Sequence, residues 1–213
     1  MCELRRQKND IRAGLIERRK NISPEKQDLW DKKIANIFFG SISYRFCDVM
    51  LIYVSTKFEI STSSIMERAL EQKKIVGCPV SNTENNTLSF KVITSTSELK
   101  AGSYNILEPP KINPDFKDIK NIINIADSKN LNNLNININN RKLLAICVVP
   151  CLSYDSEGYR IGYGKGYYDR FLSSFEGTKI GLCYSEFKSA QLPKGKYDVK
   201  LDVVITEKGV TVL

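Results

Sequence analysis

The sequence predicts a single α/β domain in which a mostly parallel sheet is flanked by helices. Between residues 48 and 79, two short apolar runs enclose an amphipathic helical segment, an order typical of right-handed strand–helix–strand units. The 213 residues fit one domain, and the 42% of hydrophobic residues suffice for a core. Because no long repeat or second composition regime is visible, we expect one domain over residues 1–213.

The chain is predicted to open with two helices. The first is indicated by apolar residues at helical spacing, namely Leu4, Ile11, Leu15 and Ile22. Lys8 and Arg12 lie four residues apart on one face of this helix. Ser23 before Pro24 is typical of a helix N-cap, and Gly40 is expected to end the second helix. The inward-facing residues of that helix are expected to be Leu29, Trp30, Ile34, Ile37 and Phe38.

Two strands of the parallel type follow. Residues 48–54 form a continuous apolar run, which predicts a strand buried on both faces. After a polar loop at 55–59, Ser61 or Thr62 is expected to cap a helix that runs through Leu70. Residues 74–79 predict the next strand, which the proline at its end should terminate. Alternating apolar and polar residues at 88–93 predict an edge or antiparallel strand.

The second half of the chain returns to the α/β pattern after an unusual insertion. Residues 121–140 contain nine asparagines and are predicted to be a low-complexity surface insertion without a function of its own. A buried strand is predicted at 143–149, followed by a glycine-rich segment and a helix at about 167–175. The last two strands are predicted at 179–184 and 202–206.

Charge and composition limit the chemistry. Lysine and arginine number 32 against 24 acidic residues, so the net charge of +8 favours anionic partners such as nucleotides, polyglutamylated metabolites or nucleic acid. The chain has no histidine, which excludes histidine metal sites and catalytic Ser-His-Asp or Cys-His arrangements. Proton transfer would have to use Asp, Glu, Lys, Tyr, Cys, water or the substrate.

The six cysteines lack any CxxC pair, so a structural zinc is disfavoured. Most lie in apolar runs, as expected for buried reduced thiols of a cytosolic-type protein. The longest apolar stretch, 143–149, is too short to span a bilayer, and no signal segment is apparent at the N-terminus. We expect a cytoplasmic protein without a membrane partner, with a mitochondrial location left open.

A glycine-rich segment carries the strongest functional signal. Gly162, Gly164 and Gly166 occupy every second position between a strand and a helix, so the backbone can approach a ligand without Cβ clashes. Arg160 and Lys165 add positive charge near the N–H groups of the helix start, which suits a polyphosphate. Neither the Walker A pattern nor the GxGxxG fingerprint fits the spacing. A tight structural turn is the alternative, but it would not need the flanking charges.

Two aspartates are candidate ligands for Mg²⁺. Asp169 lies at the start of the predicted helix, and Asp198 precedes the last predicted strand. Nucleotide-bound Mg²⁺ usually takes one or two carboxylates together with phosphate oxygens. A helix-capping or solvated carboxylate is the alternative interpretation of each residue, and spacing alone favours it.

Residues 149–172 closely resemble the signature of the 5-formyltetrahydrofolate cyclo-ligase family, which contains Gly-x-Arg-Leu-Gly-x-Gly-x-Gly-Tyr-Tyr-Asp. Further regions agree in order and spacing, namely Lys8 with Arg12, residues 53–62, residues 104–109 and residues 197–207. The likeness covers nearly the whole chain outside the asparagine-rich insertion. Departures include Cys151 where the family usually has glycine, and Phe187 at a position often taken by glutamine near the nucleotide.

The resemblance implies a NagB/RpiA/CoA-transferase-like fold and ATP-dependent cyclisation of 5-formyltetrahydrofolate to 5,10-methenyltetrahydrofolate, with ADP and phosphate released. ATP would phosphorylate the formyl oxygen, and N10 of the folate would then attack within the same molecule. ATP and Mg²⁺ are the implied cofactors. The substrate could carry a polyglutamate tail, and we expect a monomer without a nucleic-acid partner.

The resemblance also implies roles for individual residues. Catalysis would use Arg160, Lys165 and Tyr167. ATP would be bound by Lys8, Arg12, Arg160, Ile161, Gly162, Tyr163, Gly164, Lys165, Gly166, Tyr167 and Tyr168. The folate would be bound by Val54, Glu59, Tyr163, Gly164, Lys165, Gly166 and Tyr167. Asp169 and Asp198 would hold Mg²⁺.

Two other functions remain as alternatives at this level. The chain could be a relative that binds folate without turnover, or an RNA-associated relative, because a basic chain with ten tyrosines could present a basic aromatic surface. A sugar-phosphate isomerase is a weaker alternative, since it rests on fold analogy and leaves the glycine-rich loop without a use.

Overall fold

A computed structural model describes residues 3–118 and 143–213, so the asparagine-rich segment predicted as an insertion lies outside the described residues. The helices of the described residues are α1 (Glu3–Lys20), α2 (Pro24–Gly40), α3 (Ile42–Phe46), α4 (Ser63–Glu71) and α5 (Tyr167–Leu172). The strands are β1 (Val49–Ile52), β2 (Ile75–Asn82), β3 (Thr87–Ile93), β4 (Lys100–Ala101), β5 (Leu107–Glu108), β6 (Ala145–Pro150), β7 (Ser153–Tyr154), β8 (Arg160–Ile161), β9 (Thr178–Leu182), β10 (Val203–Thr206) and β11 (Gly209–Val212).

Seven strands form one mixed sheet in the order β11-β10-β9-β6-β1-β2-β3. The five inner strands pair in parallel, while β3 and β11 close the two edges as antiparallel partners of β2 and β10. This confirms the predicted α/β class and the mostly parallel sheet. It also brings the carboxyl ends of β1 and β6 side by side, since these strands are direct neighbours.

The core follows from the apolar runs of the inner strands. Every residue of β1 and β10 is buried, as are the residues of β6 from Ile146 onward, which is typical of parallel strands covered on both faces. Helix α2 contacts β10, α4 contacts β2, and α5 contacts β3. The helices therefore flank the sheet as predicted.

The two opening helices form where expected, with two corrections. The Ser23 side chain accepts a hydrogen bond from the Lys26 N–H, which confirms the predicted N-cap of α2. Ile22 lies beyond the last residue of α1, and Leu29 is 51% exposed. The inward orientation predicted for Leu29 is wrong, because this residue stands about half a helical turn away from the buried face marked by Ile34 and Phe38.

Proline does not end the second strand, contrary to the prediction. β2 continues through Pro79 to Asn82 because β3 pairs with it over that whole length. The pairing of β1 with β2 stops at Gly77. The missing N–H of Pro79 therefore leaves the parallel ladder intact, which is how sheets accommodate proline near an edge.

The predicted helix at 167–175 is shorter than expected. α5 ends at Leu172, where the hydroxyls of Ser173 and Ser174 donate to the carbonyl oxygens of Arg170 and Phe171. Serine side chains that bond to nearby carbonyls compete with continued helix. The short strands β4, β5, β7 and β8, the edge strand β11 and helix α3 were not predicted.

Two further features agree with the sequence. The cysteines of the described residues, Cys47, Cys78, Cys147, Cys151 and Cys183, are buried free thiols. Within residues 3–118 and 143–213, we find no helix whose length and apolar character would let it cross a bilayer.

Candidate active site

A cavity of about 470 Å³ opens beside the carboxyl ends of β1 and β6. Tyr53 and Val54, which follow β1, line it together with Pro150, the last residue of β6. In open α/β sheets, ligands bind outside the carboxyl ends of the strands. The position of the cavity is therefore the one that this sheet topology favours for a binding site.

The glycine-rich loop forms one wall of the cavity. It leaves β8 at Ile161 and enters α5 at Tyr167. Gly164 and Gly166 have φ angles of +96° and +71°, a region that side chains disfavour. A Cβ at Gly164 would lie 2.7 Å from Cζ of Arg12, so this position also requires close approach of the helix α1.

Arginines hold this loop from both sides. Nε of Arg12 in α1 donates to the carbonyl oxygen of Gly162 at 2.7 Å. A second arginine, Arg170 in α5, donates to the carbonyl oxygens of Lys165 at 2.9 Å and of Asn86 at 3.0 Å. Asn86 belongs to the turn between β2 and β3. The loop is therefore fixed to α1 on one side and to an edge hairpin of the sheet on the other.

The two candidate metal ligands both lie at the cavity and pair with cations. Oδ1 of Asp169 accepts from Arg160 at 3.0 Å and from the Val199 N–H at 3.1 Å. Oδ2 of Asp198 accepts from Nζ of Lys8 and from the Gly195 N–H. In the described part of the chain, the other oxygen of each carboxylate makes no hydrogen bond.

The donor chemistry of these aspartates fits Mg²⁺ on a nucleotide. Both carboxylates line a cavity that also contains cationic side chains, and Mg²⁺ on phosphates needs few protein ligands. Residues 3–118 and 143–213 contain no cluster of three acidic or cysteine side chains that could hold a metal alone.

The cavity wall also contains a buried carboxylate, Glu59. Oε2 of Glu59 accepts from the N–H and from the hydroxyl of Thr56, each at 2.8 Å. Burial raises the pKa of Glu59 above its ordinary value, against the effect of these two hydrogen bonds. The Tyr163 hydroxyl interacts with Glu59, and burial together with this carboxylate raises the pKa of Tyr163. The part of the wall around Glu59 and Tyr163 could bind a polar, hydrogen-bond-donating ring.

A tyrosine pair spans another part of the cavity wall. The hydroxyls of Tyr104 and Tyr167 lie 3.3 Å apart. Burial and this contact raise the pKa of Tyr167 to about 12, so its hydroxyl stays protonated at neutral pH. Lys165 is an exposed residue of the glycine-rich loop that lines the cavity and, in the described ranges, its ammonium group makes no hydrogen bond or ion pair. It is therefore available to an anionic ligand.

The structure brings every candidate site residue to this one cavity. It is lined by Lys8, Arg12, Val54, Glu59, Arg160, Ile161, Gly162, Tyr163, Gly164, Lys165, Gly166, Tyr167, Tyr168, Asp169 and Asp198. Sequence reasoning did not single out several further lining residues, namely Tyr53, Thr56, Pro79, Ser81, Leu88, Tyr104, Ile106, Glu108 and Pro150. Tyr104 has a φ of 57°, which no sequence pattern indicated, although it lies in a segment that entered the family resemblance.

Comparison with known proteins decides the family. The family model described as the 5-formyltetrahydrofolate cyclo-ligase family matches residues 5–207. The chain belongs to this family.

Cyclo-ligase relatives resemble the chain over most of its length. The mitochondrial 5-formyltetrahydrofolate cyclo-ligase of Arabidopsis thaliana is 25% identical, covering 96% of this chain and 76% of that protein. The Haemophilus influenzae cyclo-ligase is also 25% identical, covering 93% of this chain and 97% of that protein. Among solved structures, the Aquifex aeolicus 5,10-methenyltetrahydrofolate synthetase superposes with a TM-score of 0.74 and 27% identity, over 97% of this chain and 92% of that one.

Gly164→Ala should destabilise this cyclo-ligase fold. The φ of +96° and the position of Arg12, whose Cζ would lie 2.7 Å from the new methyl group, would strain the loop, which predicts a loss of about 1–3 kcal/mol in the free energy of unfolding. Urea denaturation measures this loss. Gly14→Ala in α1, where a Cβ meets nothing within 4 Å, is the control and should be neutral or stabilising. Equal stability of the two variants would contradict the strain at Gly164.

Glu59→Gln should change how stability depends on pH. Because burial raises the pKa of Glu59, the folded state holds this proton more tightly, and stability should decline as the pH rises above the ordinary value of 4.5. The glutamine variant should lose that decline, as followed by urea denaturation between pH 4.5 and 7.

Glu98→Gln is a control that should change the pH dependence of stability in the opposite direction. Despite partial burial, hydrogen bonds from Thr94 and Asn113 hold the pKa of Glu98 below its ordinary value. Its stabilisation is present at neutral pH and disappears as the pH falls through the folded-state pKa. If both variants moved the pH dependence in the same direction, the assignment of Glu59 as a costly buried carboxylate would be wrong.

Proposed function

We propose that this cyclo-ligase family member catalyses the ATP-dependent cyclisation of 5-formyltetrahydrofolate to 5,10-methenyltetrahydrofolate, with release of ADP and phosphate. The observation that carries the proposal is the shared cavity. A cationic glycine loop and a buried carboxylate line the same cavity, so a triphosphate and a pterin could bind in it with their reacting groups adjacent. Family membership supplies the reaction class.

The phosphate end comprises α1 and the glycine loop. Lys8, Arg12, Arg160 and Lys165 contribute positive charge there, and loop N–H groups can add hydrogen bonds. We assign the triphosphate of ATP to this end. Phosphoryl transfer depends mainly on positioning and charge stabilisation, which explains how a chain without histidine can perform it.

The folate end comprises Val54, Glu59 and Tyr163. A buried carboxylate can accept hydrogen bonds from the amino group and ring N–H of a pterin, and Val54 offers an apolar surface beside it. We assign the pterin to this end. The formyl group then lies toward Lys165 and Tyr167, between the pterin and the triphosphate.

The chemistry proceeds in two steps. The formyl oxygen attacks the γ-phosphorus, forming a new O–P bond while the bond to the β-phosphate oxygen breaks and ADP leaves. N10 then attacks the formyl carbon, the C–O bond breaks, phosphate departs and N10 loses its proton. Ring closure is intramolecular, so it gains from an effective molarity that can reach about 10⁵ M or more.

Particular residues are suited to the first step. We assign Lys165 and Arg160 to balance the negative charge that shifts from the γ-phosphoryl oxygens toward the oxygen that bridges to the leaving ADP. The neutral Tyr167 hydroxyl can donate a hydrogen bond to the formyl or phosphoryl oxygen, since its pKa is raised to about 12. Asp169 and Asp198 would hold Mg²⁺ through their carboxylate oxygens. When bound, Mg²⁺ would neutralise part of the phosphate charge.

The decisive experiment is turnover. Purified protein mixed with 5-formyltetrahydrofolate, Mg²⁺ and ATP should produce the near-ultraviolet absorbance of the methenyl product together with stoichiometric ADP. Folate binding without ADP would favour the non-catalytic alternative instead. A monomeric state, a cytoplasmic or mitochondrial location and the lack of a nucleic-acid partner remain predictions.

Lys165→Ala should lose about 10²-fold or more in kcat because a charge that acts on the transferring phosphoryl group is removed. Its melting temperature should stay unchanged, since the exposed ammonium group makes no internal contact in the described ranges. Lys33→Ala, at an exposed position of α2, is the matched control. Wild-type kcat in Lys165→Ala would show that the phosphate end is misplaced.

Asp169→Asn should raise the Mg²⁺ concentration needed for half-maximal activity and weaken the binding of Mg²⁺-ATP measured by calorimetry. The amide keeps the size of the side chain but is a poorer ligand for a hard cation. Asp28→Asn, which alters an exposed ion pair with Lys32, is the control. An unchanged Mg²⁺ requirement in Asp169→Asn and Asp198→Asn would remove both residues from the metal site.

A further inference from the structure

Arg19 is a buried charge that the proposed reaction does not use. It lies in the last turn of α1, is 4% exposed, and its Nε finds no hydrogen-bond partner within the described residues. Burying a guanidinium costs free energy that incomplete hydrogen bonding does not recover. Because this imperfectly paired arginine is costly to bury, we expect its contacts to serve a purpose other than stability.

The Arg19 guanidinium joins two cavity loops to α1. One terminal nitrogen donates to the Cys151 carbonyl oxygen and lies 3.5 Å from that of Leu152. The other donates to the Phe58 carbonyl oxygen at 3.4 Å. Cys151 and Leu152 follow β6, and Phe58 belongs to the loop after β1. These two loops leave neighbouring parallel strands at the edge of the sheet where the cavity opens.

Two aromatic rings pack against the guanidinium group of Arg19. Its Cζ lies 5.4 Å from the ring centroid of Tyr184 and 5.2 Å from that of Phe187, distances typical of cation–π contacts. The planar fork can therefore reach both loops only in a restricted orientation. A lysine at this position would carry the charge but could not bridge two carbonyl groups with the same geometry.

We propose that Arg19 is a positioning residue for the folate end of the cavity, where it ties the loop that carries Glu59 to the turn after β6. The inference rests on the proposed function, because it gives Glu59 the role of binding the pterin. Glu59 follows Phe58 directly, so the bond to the Phe58 carbonyl sets the position of its backbone. Its carboxylate is then held by Thr56.

The charge of Arg19 adds a second effect. It favours the ionised form of the buried Glu59 carboxylate, and the other titratable groups that act on Glu59 are the hydroxyls of Tyr53, Tyr163 and Tyr168. Burial raises the pKa of all three tyrosines, so they stay neutral. Arg19 is therefore the charged group that counteracts the burial of Glu59 among these neighbours.

The test compares Arg19→Met, which removes the charge and the fork, with Arg19→Lys, which keeps the charge. Arg18→Met is the matched control. Arg18 is next in sequence and lies over Phe187 at 4.8 Å, but it faces the surface and donates to Glu186 instead of the cavity loops. Circular dichroism and melting temperature confirm that each variant is folded.

The first readout needs no ligand. Amide hydrogen exchange at Thr56 and Glu59 reports whether the loop is held, because the Thr56 N–H donates to the Glu59 carboxylate and the Glu59 N–H donates to the Thr56 carbonyl oxygen. Exchange at both sites should accelerate about tenfold in Arg19→Met and stay at the wild-type rate in Arg18→Met. Equal exchange in the two variants would overturn the proposal, whatever the substrate is.

The second readout separates positioning from general stability. In Arg19→Met, KM for 5-formyltetrahydrofolate should rise about tenfold while KM for ATP changes less than twofold. The rise in folate KM on acidification should also begin at a higher pH, because Glu59 takes up a proton more readily. Arg19→Lys should keep the wild-type pH profile but retain a raised folate KM.

The remaining outcomes of these measurements also test the role of Arg19. Equal increases in both KM values, or an unchanged pH profile in Arg19→Met, would reduce Arg19 to a core residue and overturn the proposal. If Arg19→Met fails to fold, amide hydrogen exchange at Thr56 and Glu59 in Arg19→Lys tests the proposal instead. If neither variant folds, the proposal is overturned. Wild-type protein without turnover would refute the proposed function alone, since hydrogen exchange still reports on the loop.

Discussion

The site depends on how α1 is attached to the domain, and that attachment is made largely by cations. Of the eighteen residues of this helix, Leu15 and Arg19 are buried, while Ile11 and Ile16 pack half-buried against the core, so the apolar contact of the helix is limited to a narrow stripe. Lys8 reaches Asp198, Arg12 reaches the Gly162 carbonyl, and Arg19 reaches the loops after β1 and β6. Positions 8, 12 and 19 fall on one face of α1, so a single rigid helix fixes the positions of three positive charges.

The ion pairs at the phosphate end also suit an exchange of partners. Lys8 pairs with Asp198 and Arg160 pairs with Asp169, which keeps each partly buried charge compensated while no anion is bound. On the proposed function, an incoming triphosphate would engage the two cations, and the two carboxylates would become available to Mg²⁺. The same four side chains would then be used with and without bound nucleotide. The aspartates need not be free of ion pairs beforehand to act as ligands.

The sequence predicted those parts of the fold that depend on local patterns. Buried parallel strands, the Ser23 cap and the glycine loop all leave signals within a few residues. What it missed depends on distant partners. Pro79 stays within a strand because β1 stops pairing at Gly77. Arg19 would be taken for a solvated residue of a basic helix, since nothing nearby in sequence reveals the carbonyl groups that surround it.

The glycines of the signature are not all required for the same physical reason. Gly164 and Gly166 have positive φ angles, so the backbone itself demands glycine there. Cys151, where the family usually has glycine, does not have a positive φ, which explains how a side chain is tolerated at that turn.

Gly162 differs from both cases. Its φ lies outside the left-handed region, and a Cβ there would meet nothing within 4 Å, so neither backbone strain nor packing requires glycine. Gly162 nonetheless lines the cavity beside Arg160 and Lys165. Of the three loop glycines, Gly162 is therefore the one whose replacement by alanine the fold itself should tolerate, so such a variant would test the cavity and not the stability of the loop.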